Sequence, residues 1–336
     1  MKRIRFLTAA IVVAMALPAA VSAEGQGEKA ASAGKITVTF AGTEAATTTQ
    51  SRMMQAVADA LNADGRFDAQ VLVAGALSND TNALVTQAKL GVPLVVPSDP
   101  GRLASQFNIP DLNILMAPYV LTDPAVLKNL PDTELFKTWS KQLETQGIVL
   151  IADMYNGFRN FYTTTPVKTV KDLSGLRIRG FGNDIGNGLA RYFGFANFAI
   201  AFGEVFPAIQ QKTLDGTEVQ VSAAAGNAFW DVTKYVAMTK HYMLQTAFVC
   251  STRLLSGMPS DARAFFLATI REKALEFGAK AQADEAGLYD QFRAKGVTIT
   301  DVDIKEFQAA IAPLYTNNDL KFSPGLKDSL FKQLGL

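Results

Sequence analysis

From Ser260 to about Gly296 the chain has no proline, only Gly278 and Gly287 interrupt it, and Phe265, Phe266, Ile270, Ala274, Leu275 and Phe277 recur at helical spacing. A helix of about 35 residues spans roughly 50 Å, more than one compact lobe needs. The run predicts a rod lying along two lobes, and the length of the chain agrees with two.

The lobes announce themselves as a β-α alternation. Strands are legible at Ile36 to Phe40, Ala69 to Val73 and Pro93 to Val96. Between them come a helix through Met53, Met54, Val57 and Leu61 and another from a cap at Ser78 to Gly91. This is an α/β pattern with mainly parallel strands. A helix from Leu135 to Gln146 precedes a strand at Ile148 to Ile151, and the character of the chain changes at Tyr155-Asn156-Gly157, where a crossover between lobes is expected. Beyond it come a strand from Arg159, a second at Arg179, helices through Leu189 and Val205, and a strand over Thr217 to Val221.

The N-terminus carries Lys2, Arg3 and Arg5, an apolar run from Phe6 to Leu17, then Pro18 and Val21-Ser22-Ala23. That is the pattern of a secretory signal peptide cleaved after Ala23, and the run is too short to span about 30 Å of hydrocarbon. Residues 24–34 read as a flexible leader. Loss of residues 1–23 removes three cations and no anion, taking the net charge from +1 to −2. Nothing in that balance points to nucleic acid. The single cysteine, Cys250, makes no internal bridge, and the run Ala247 to Cys250 buries it.

Two arginines stand out, in Asn156-Gly157-Phe158-Arg159 and Leu176-Arg177-Ile178-Arg179-Gly180. Each lies on a strand-like run, so the pair reads as a clamp projecting from neighbouring strands onto one carboxylate, which a planar guanidinium meets through two parallel N–H bonds. For either arginine alone a surface ion pair is the ordinary alternative. Enzyme chemistry is thinly represented. His241 is the only histidine, there is no Gly-x-Ser-x-Gly, and one histidine with one cysteine does not make a zinc site. Gly180-Phe181-Gly182 lacks the third glycine of a dinucleotide loop. No cofactor and no metal are expected. His241 reads as a hydrogen-bonded structural residue, and Phe229 and Trp230 as core.

The stretch from Tyr155 to Ser251 resembles the DctP-type solute-binding proteins of tripartite ATP-independent periplasmic (TRAP) transporters. The motifs that carry the resemblance run in the family's order: Tyr155-Asn156-Gly157-Phe158-Arg159, Asp172 to Arg179, Phe202 to Gln210, Leu214-Asp215-Gly216 and Lys234 to His241. Looser similarity, through Ala41-Gly42-Thr43 and Ala117 to Val120, covers most of the chain beyond the leader. The resemblance implies a two-lobe periplasmic binding-protein-like α/β fold with hinge strands and a long lobe-spanning helix. Lobe I would comprise 35–155 plus 243–285, and lobe II 156–242 plus 286–336.

It also implies a role: a periplasmic receptor, not an enzyme, that captures an organic carboxylate and, as a monomer, delivers it to the small and large membrane subunits of a TRAP permease. Arg179 matches the family's principal carboxylate anchor, Arg159 a second arginine beside it, and Phe202 an aromatic lining the pocket. Asp99, Arg102 and Thr43 fall where the opposite lobe contributes contacts. Where the family has asparagine after Asp-Gly-x-Glu, this chain has Val219, which donates no hydrogen bond. With Phe181, Phe195, Phe198 and Phe202 nearby, that predicts a more apolar pocket than one for sugar acids. The competing readings are the binding protein of an ATP-driven transporter or sensor, and an exported enzyme using Asp99 and Glu204 as acid and base.

Overall fold

The computed structural model describes residues 34–336; the signal peptide, its cleavage after Ala23 and all of the leader except Gly34 lie outside the described residues. Along the chain, β1 (Ile36–Ala41), α1 (Thr49–Asp64), β2 (Phe67–Leu72), α2 (Thr81–Lys89), β3 (Leu94–Ser98), α3 (Pro100–Phe107) and α4 (Glu134–Thr145) lead into β4 (Ile148–Thr163). There follow β5 (Arg177–Arg179), α5 (Asp184–Phe193), β6 (Ala196–Phe198), α6 (Val205–Gln210), β7 (Gly216–Gln220), α7 (Val221–Gly226) and β8 (Tyr235–Met238). Last come β9 (Met243–Ser251), α8 (Thr252–Ser256), α9 (Ser260–Ala294), β10 (Thr298–Asp301) and short C-terminal helices.

The strands hydrogen-bond in the order β2-β1-β3-β9-β4-β7-β5-β6, with β8 joined to both β4 and β10. The outer pairs are parallel, as the alternation predicts: β1 with β2 and β3, β5 with β6 and β7, and β8 with β10. The middle is not. Two long strands, β9 and β4, run antiparallel to each other and to the neighbours they join. These are the stretches in which the chain passes between the halves of the sheet, so they carry no β-α unit and leave no periodic signal of that kind.

β4 is one strand of 16 residues, where the sequence reads as two pieces. It changes partners partway: Ile148 to Phe158 pairs with β9, and Arg159 to Thr163 with β7 and β8. The register slips between Tyr155 and Phe158, and Gly157 in that gap has φ of +101°, a conformation that a residue with a Cβ rarely adopts. Another difference is at α2, which is capped by Asp80 accepting from the Asn82 amide at 2.8 Å, while Ser78 accepts from the Asp80 amide at 3.1 Å. The carboxylate nearer the helix takes the cap.

The long helix is α9, 35 residues. Its first half buries Phe266, Ile270 and Ala274 against Phe40, Met54, Val57, Phe67 and Phe248. Its last turns bury Tyr289 and Phe292 in a separate cluster with Tyr162, Val205, Ile209 and Phe229. Between the two, Gly278 lets the helix lie close on β4, since a Cβ there would stand 3.3 Å from the Tyr155 amide nitrogen. Trp230 packs edge-on to Phe292 and Phe229 is buried, so both belong to the core. Cys250 is buried in the first cluster, and burial pushes its thiol up to about 12, which leaves it unreactive.

At Gly157 a Cβ would also meet Glu285 Oε1 at 3.2 Å and Gln220 Cβ at 3.3 Å. Gly157→Val is therefore expected to destabilise the fold by about 1–3 kcal/mol. Urea unfolding checks this as a lower midpoint with an unchanged slope.

Candidate functional site

The C-terminal ends of parallel strands are where α/β sheets gather their functional loops, and this sheet follows the rule. Thr43 and Glu44 follow β1, while Ser98 and Asp99 stand at the end of β3. Facing them, Arg159 comes from β4, Arg179 ends β5, and Val219 and Gln220 end β7. All of these line one cavity of about 50 Å³, together with Arg102, Phe181, Phe202, Leu244 and Thr246. A larger cavity of about 420 Å³ shares Thr43, Arg102, Arg179, Phe181 and Phe202 with it and opens past Asn183 and Ala199. Every site residue predicted from the sequence thus lies on the same small cavity.

Their electrostatic roles differ sharply. Arg159 is fully engaged inside the protein. Its Nε donates to Glu218 Oε2, its Nη2 to the Glu218 carbonyl, and its Nη1 to Gln220 Oε1 at 3.2 Å. Arg159 and Glu218 are 2% and 1% exposed, so each neutralises a charge that could not otherwise be buried. Glu218 also meets His241 Nε2 and the Tyr242 hydroxyl, both at 3.3 Å. His241 is wholly buried, its Nδ1 lies 2.8 Å from Thr239 Oγ1, and burial lowers its pKa against the pull of Glu218. It is a hydrogen-bonded structural residue, as its surroundings in the sequence suggest.

Arg179 is the opposite case. It is 5% exposed, its Nε donates to the Ile200 carbonyl at 3.3 Å, and no carboxylate among the described residues lies within ion-pair distance. Burial, with Arg159 and Arg102 nearby, pushes its pKa down to about 9. The rings of Phe181 and Phe202 flank it, with centroids 5.6 and 5.4 Å from its guanidinium carbon. Phe181 is shared: the guanidinium carbons of Arg102 and Arg159 each lie 4.3 Å from its centroid.

The sequence picture of a two-armed clamp on neighbouring strands needs revision. β7 lies between β4 and β5, and Arg159 is spent on Glu218. Asp99 is also occupied. It caps α3 by accepting from the Arg102 amide at 2.8 Å, and its other oxygen pairs with the Arg102 side chain. Arg177 pairs with Asp215 on the outer surface. Val219 lines the cavity yet packs with Val205 and Ile209 in the core, and the neighbouring amide, Gln220, faces Arg159 and donates to Glu44 Oε1 at 3.0 Å.

The expected apolar pocket is not what forms. Phe195 packs on Phe161 in the core and Phe198 is exposed on β6. Thr43, Gln50, Thr81, Ser98 and Thr246 make the wall largely polar. Glu44, Gln220 and Glu218 are the functional candidates that sequence reasoning passed over. Glu44 adjoins the Ala41-Gly42-Thr43 motif, and its place at the end of a parallel strand was the signal available. Glu204 is exposed at the start of α6 and does not line the cavity that holds Asp99, so the two do not form the acid–base pair of the enzyme reading.

The two halves of sheet, the strand that crosses them and the long helix make the fold of a periplasmic solute-binding protein. A TRAP periplasmic solute-binding protein from Ochrobacterium anthropi with bound L-fuconate has a TM-score of 0.80 and 27% identity, covering 89% of this chain and 99% of that one. One from Desulfovibrio salexigens DSM2638, in complex with diglycerolphosphate, has a TM-score of 0.82 and 27% identity, covering 90% and 97%. A solute-binding protein of Verminephrobacter eiseniae is 28% identical over 260 residues, 77% of either chain. The DctP family, described as bacterial extracellular solute-binding protein, family 7, matches residues 40–320, and this chain belongs to it. It is a TRAP solute-binding protein, of a family whose members bind small solutes and are not enzymes.

The buried ion pair makes stability depend on acid. Burial alone would raise the Glu218 carboxyl, but Arg159 and His241 outweigh it and hold the group at about 2. The folded chain binds this proton less readily than the unfolded one. The pair's contribution is therefore intact above the ordinary glutamate value of 4.5 and is lost as pH falls from there toward about 2. Glu218→Gln is expected to flatten that acid limb and to cost about 3–5 kcal/mol at neutral pH, because Arg159 stays buried without its counter-charge. Denaturation midpoints measured across the acid range read both effects.

Proposed function

We propose that this chain is the periplasmic receptor of a TRAP permease and that it captures an organic carboxylate by pairing it with Arg179. The observation that carries this reading is the buried guanidinium of Arg179 on the wall of the cavity, with no carboxylate among the described residues within ion-pair distance of it. Removing water from an isolated charge is costly, and an anion brought between the lobes restores the lost interaction in a medium where it is weakly screened. Arg159 and Arg102, neutralised by Glu218 and Asp99, then serve to hold the aromatic wall at Phe181.

The two lobes in this reading are 35–155 plus 243–285 and 156–242 plus 286–336, which meet where β4 changes partners. A monomer, exported and cleaved after Ala23, delivers the solute to the small and large membrane subunits. The L-fuconate in the Ochrobacterium anthropi protein favours a carboxylate for this chain as well.

Arg179→Ala is expected to abolish detectable binding, and Arg179→Lys to weaken it at least about tenfold, since a point charge loses the bidentate geometry. A thermal-shift screen of organic acids followed by calorimetry checks both, because a ligand that binds only the folded state raises its apparent stability. Near-normal affinity in Arg179→Lys would overturn the anchor role.

A further inference from the structure

Accounting for charge around the cavity leaves two groups over. Arg159 is neutralised by Glu218 and Arg102 by Asp99. What remains is the cation of Arg179 and the carboxyl of Glu44, on the wall of the same cavity of about 50 Å³. Glu44 Oε1 accepts from Gln220 Nε2 at 3.0 Å, while Oε2 is buried with no hydrogen-bond partner. An acceptor buried without a donor is expensive. Burial accordingly holds the Glu44 carboxyl above its ordinary value, against Thr48, Gln220, Arg159 and Arg102, which all act to lower it.

From this pairing we infer that Glu44 is a specificity-determining residue, and that the ligand is a monoanionic acid whose carboxylate meets Arg179 while a hydroxyl or ammonium group close to that carboxylate donates to Glu44 Oε2. The inference rests on the Arg179 reading above. The size of the cavity supplies the closeness. At ~10–15 Å³ for each water-sized group, its volume holds only a few such groups. The donor therefore sits next to the carboxylate, as in an α-hydroxy or α-amino acid, and the rest of the molecule extends into the cavity of about 420 Å³ beyond. A dicarboxylate is disfavoured by the same geometry, because its second anion would be buried there with no free cation among the described residues of the cavity wall to meet it, Arg159 and Arg102 being already paired. Rejection by an unmatched buried charge is stronger than rejection by poor fit.

The test is calorimetric titration of the purified protein and of its Glu44→Gln and Arg179→Ala variants. The ligands are L-lactate, D-erythronate and L-fuconate as hydroxy acids, L-alanine and L-valine as amino acids, propionate and butyrate as unsubstituted acids, and succinate. The wild type should bind a hydroxy or amino acid at least about tenfold more tightly than the unsubstituted acids or succinate, the scale expected of one hydrogen bond to a charged group. Which of the two series binds names the donor. Glu44→Gln, with its ligand-free melting temperature unchanged, should lose that preference.

If succinate or butyrate binds as well as the best hydroxy or amino acid, or if Glu44→Gln leaves the preference intact, the inference is overturned. The Arg179 reading then still stands, provided that Arg179→Ala abolishes binding. If no acid binds the wild type, or if Arg179→Ala binds like the wild type, the Arg179 reading falls and the inference falls with it.

Discussion

The guanidinium of Arg159 and the carboxylate of Glu218, closed off from solvent where β4 meets β7, govern the cavity beside them. Removing either partner would leave the other as a buried charge, so the sequence holds both and surrounds them with neutral hydrogen-bonding groups, His241, Tyr242 and Gln220. Because that pair is complete, the positive charge left for a ligand is on Arg179. The cavity thus has one arginine satisfied inside the protein and another without a carboxylate partner among the described residues. The Asp99 to Arg102 pair on α3 repeats the device from the other side, and Phe181 receives both neutralised guanidiniums on its ring.

The same economy of elements appears in the scaffold. β4 belongs to both halves of the sheet, and the slip at Gly157 falls immediately before Arg159, so the residue that organises the cavity also begins the second half of the strand. α9 backs this strand along its length, approaching most closely at Gly278. The cavity at Arg179 is therefore lined by elements on both sides of the partner change in β4.

Much of this was legible in the sequence, and the reasons are particular. Period and length revealed α9, because a run of that length without proline has few other readings. The parallel strands β1 to β3 showed as apolar segments between helical ones. The candidate site residues came from the motifs around Arg159, Arg179 and Phe202 and from the stretches at Thr43 and Asp99, and all line one cavity. What was hidden depended on pairing in three dimensions. β9 looked only like a buried run ending at Cys250, and nothing local said that it would lie between β3 and β4. The fate of Arg159 was equally hidden, since its partner Glu218 is far along the chain and meets it only through the β4 to β7 register. Glu44 carried no motif of its own, and what sets it apart is a buried oxygen left without a hydrogen-bond partner. Phe195 and Phe198, close in sequence to the site, turn away from it because one faces the core and the other ends on the exposed β6.

The double anchorage of α9 has a thermodynamic consequence. Phe266 and Ile270 belong to one apolar cluster, Tyr289 and Phe292 to another, and the hydrogen-bond ladder of one helix runs unbroken between them. Loss of either cluster exposes that end of the helix and weakens the backing of the other, so the stabilities of the two halves are coupled through it. A substitution that loosens the packing of Phe266 or Ile270 therefore weakens the support of the helix on which Tyr289 and Phe292 also depend, at the far end of the same hydrogen-bond ladder.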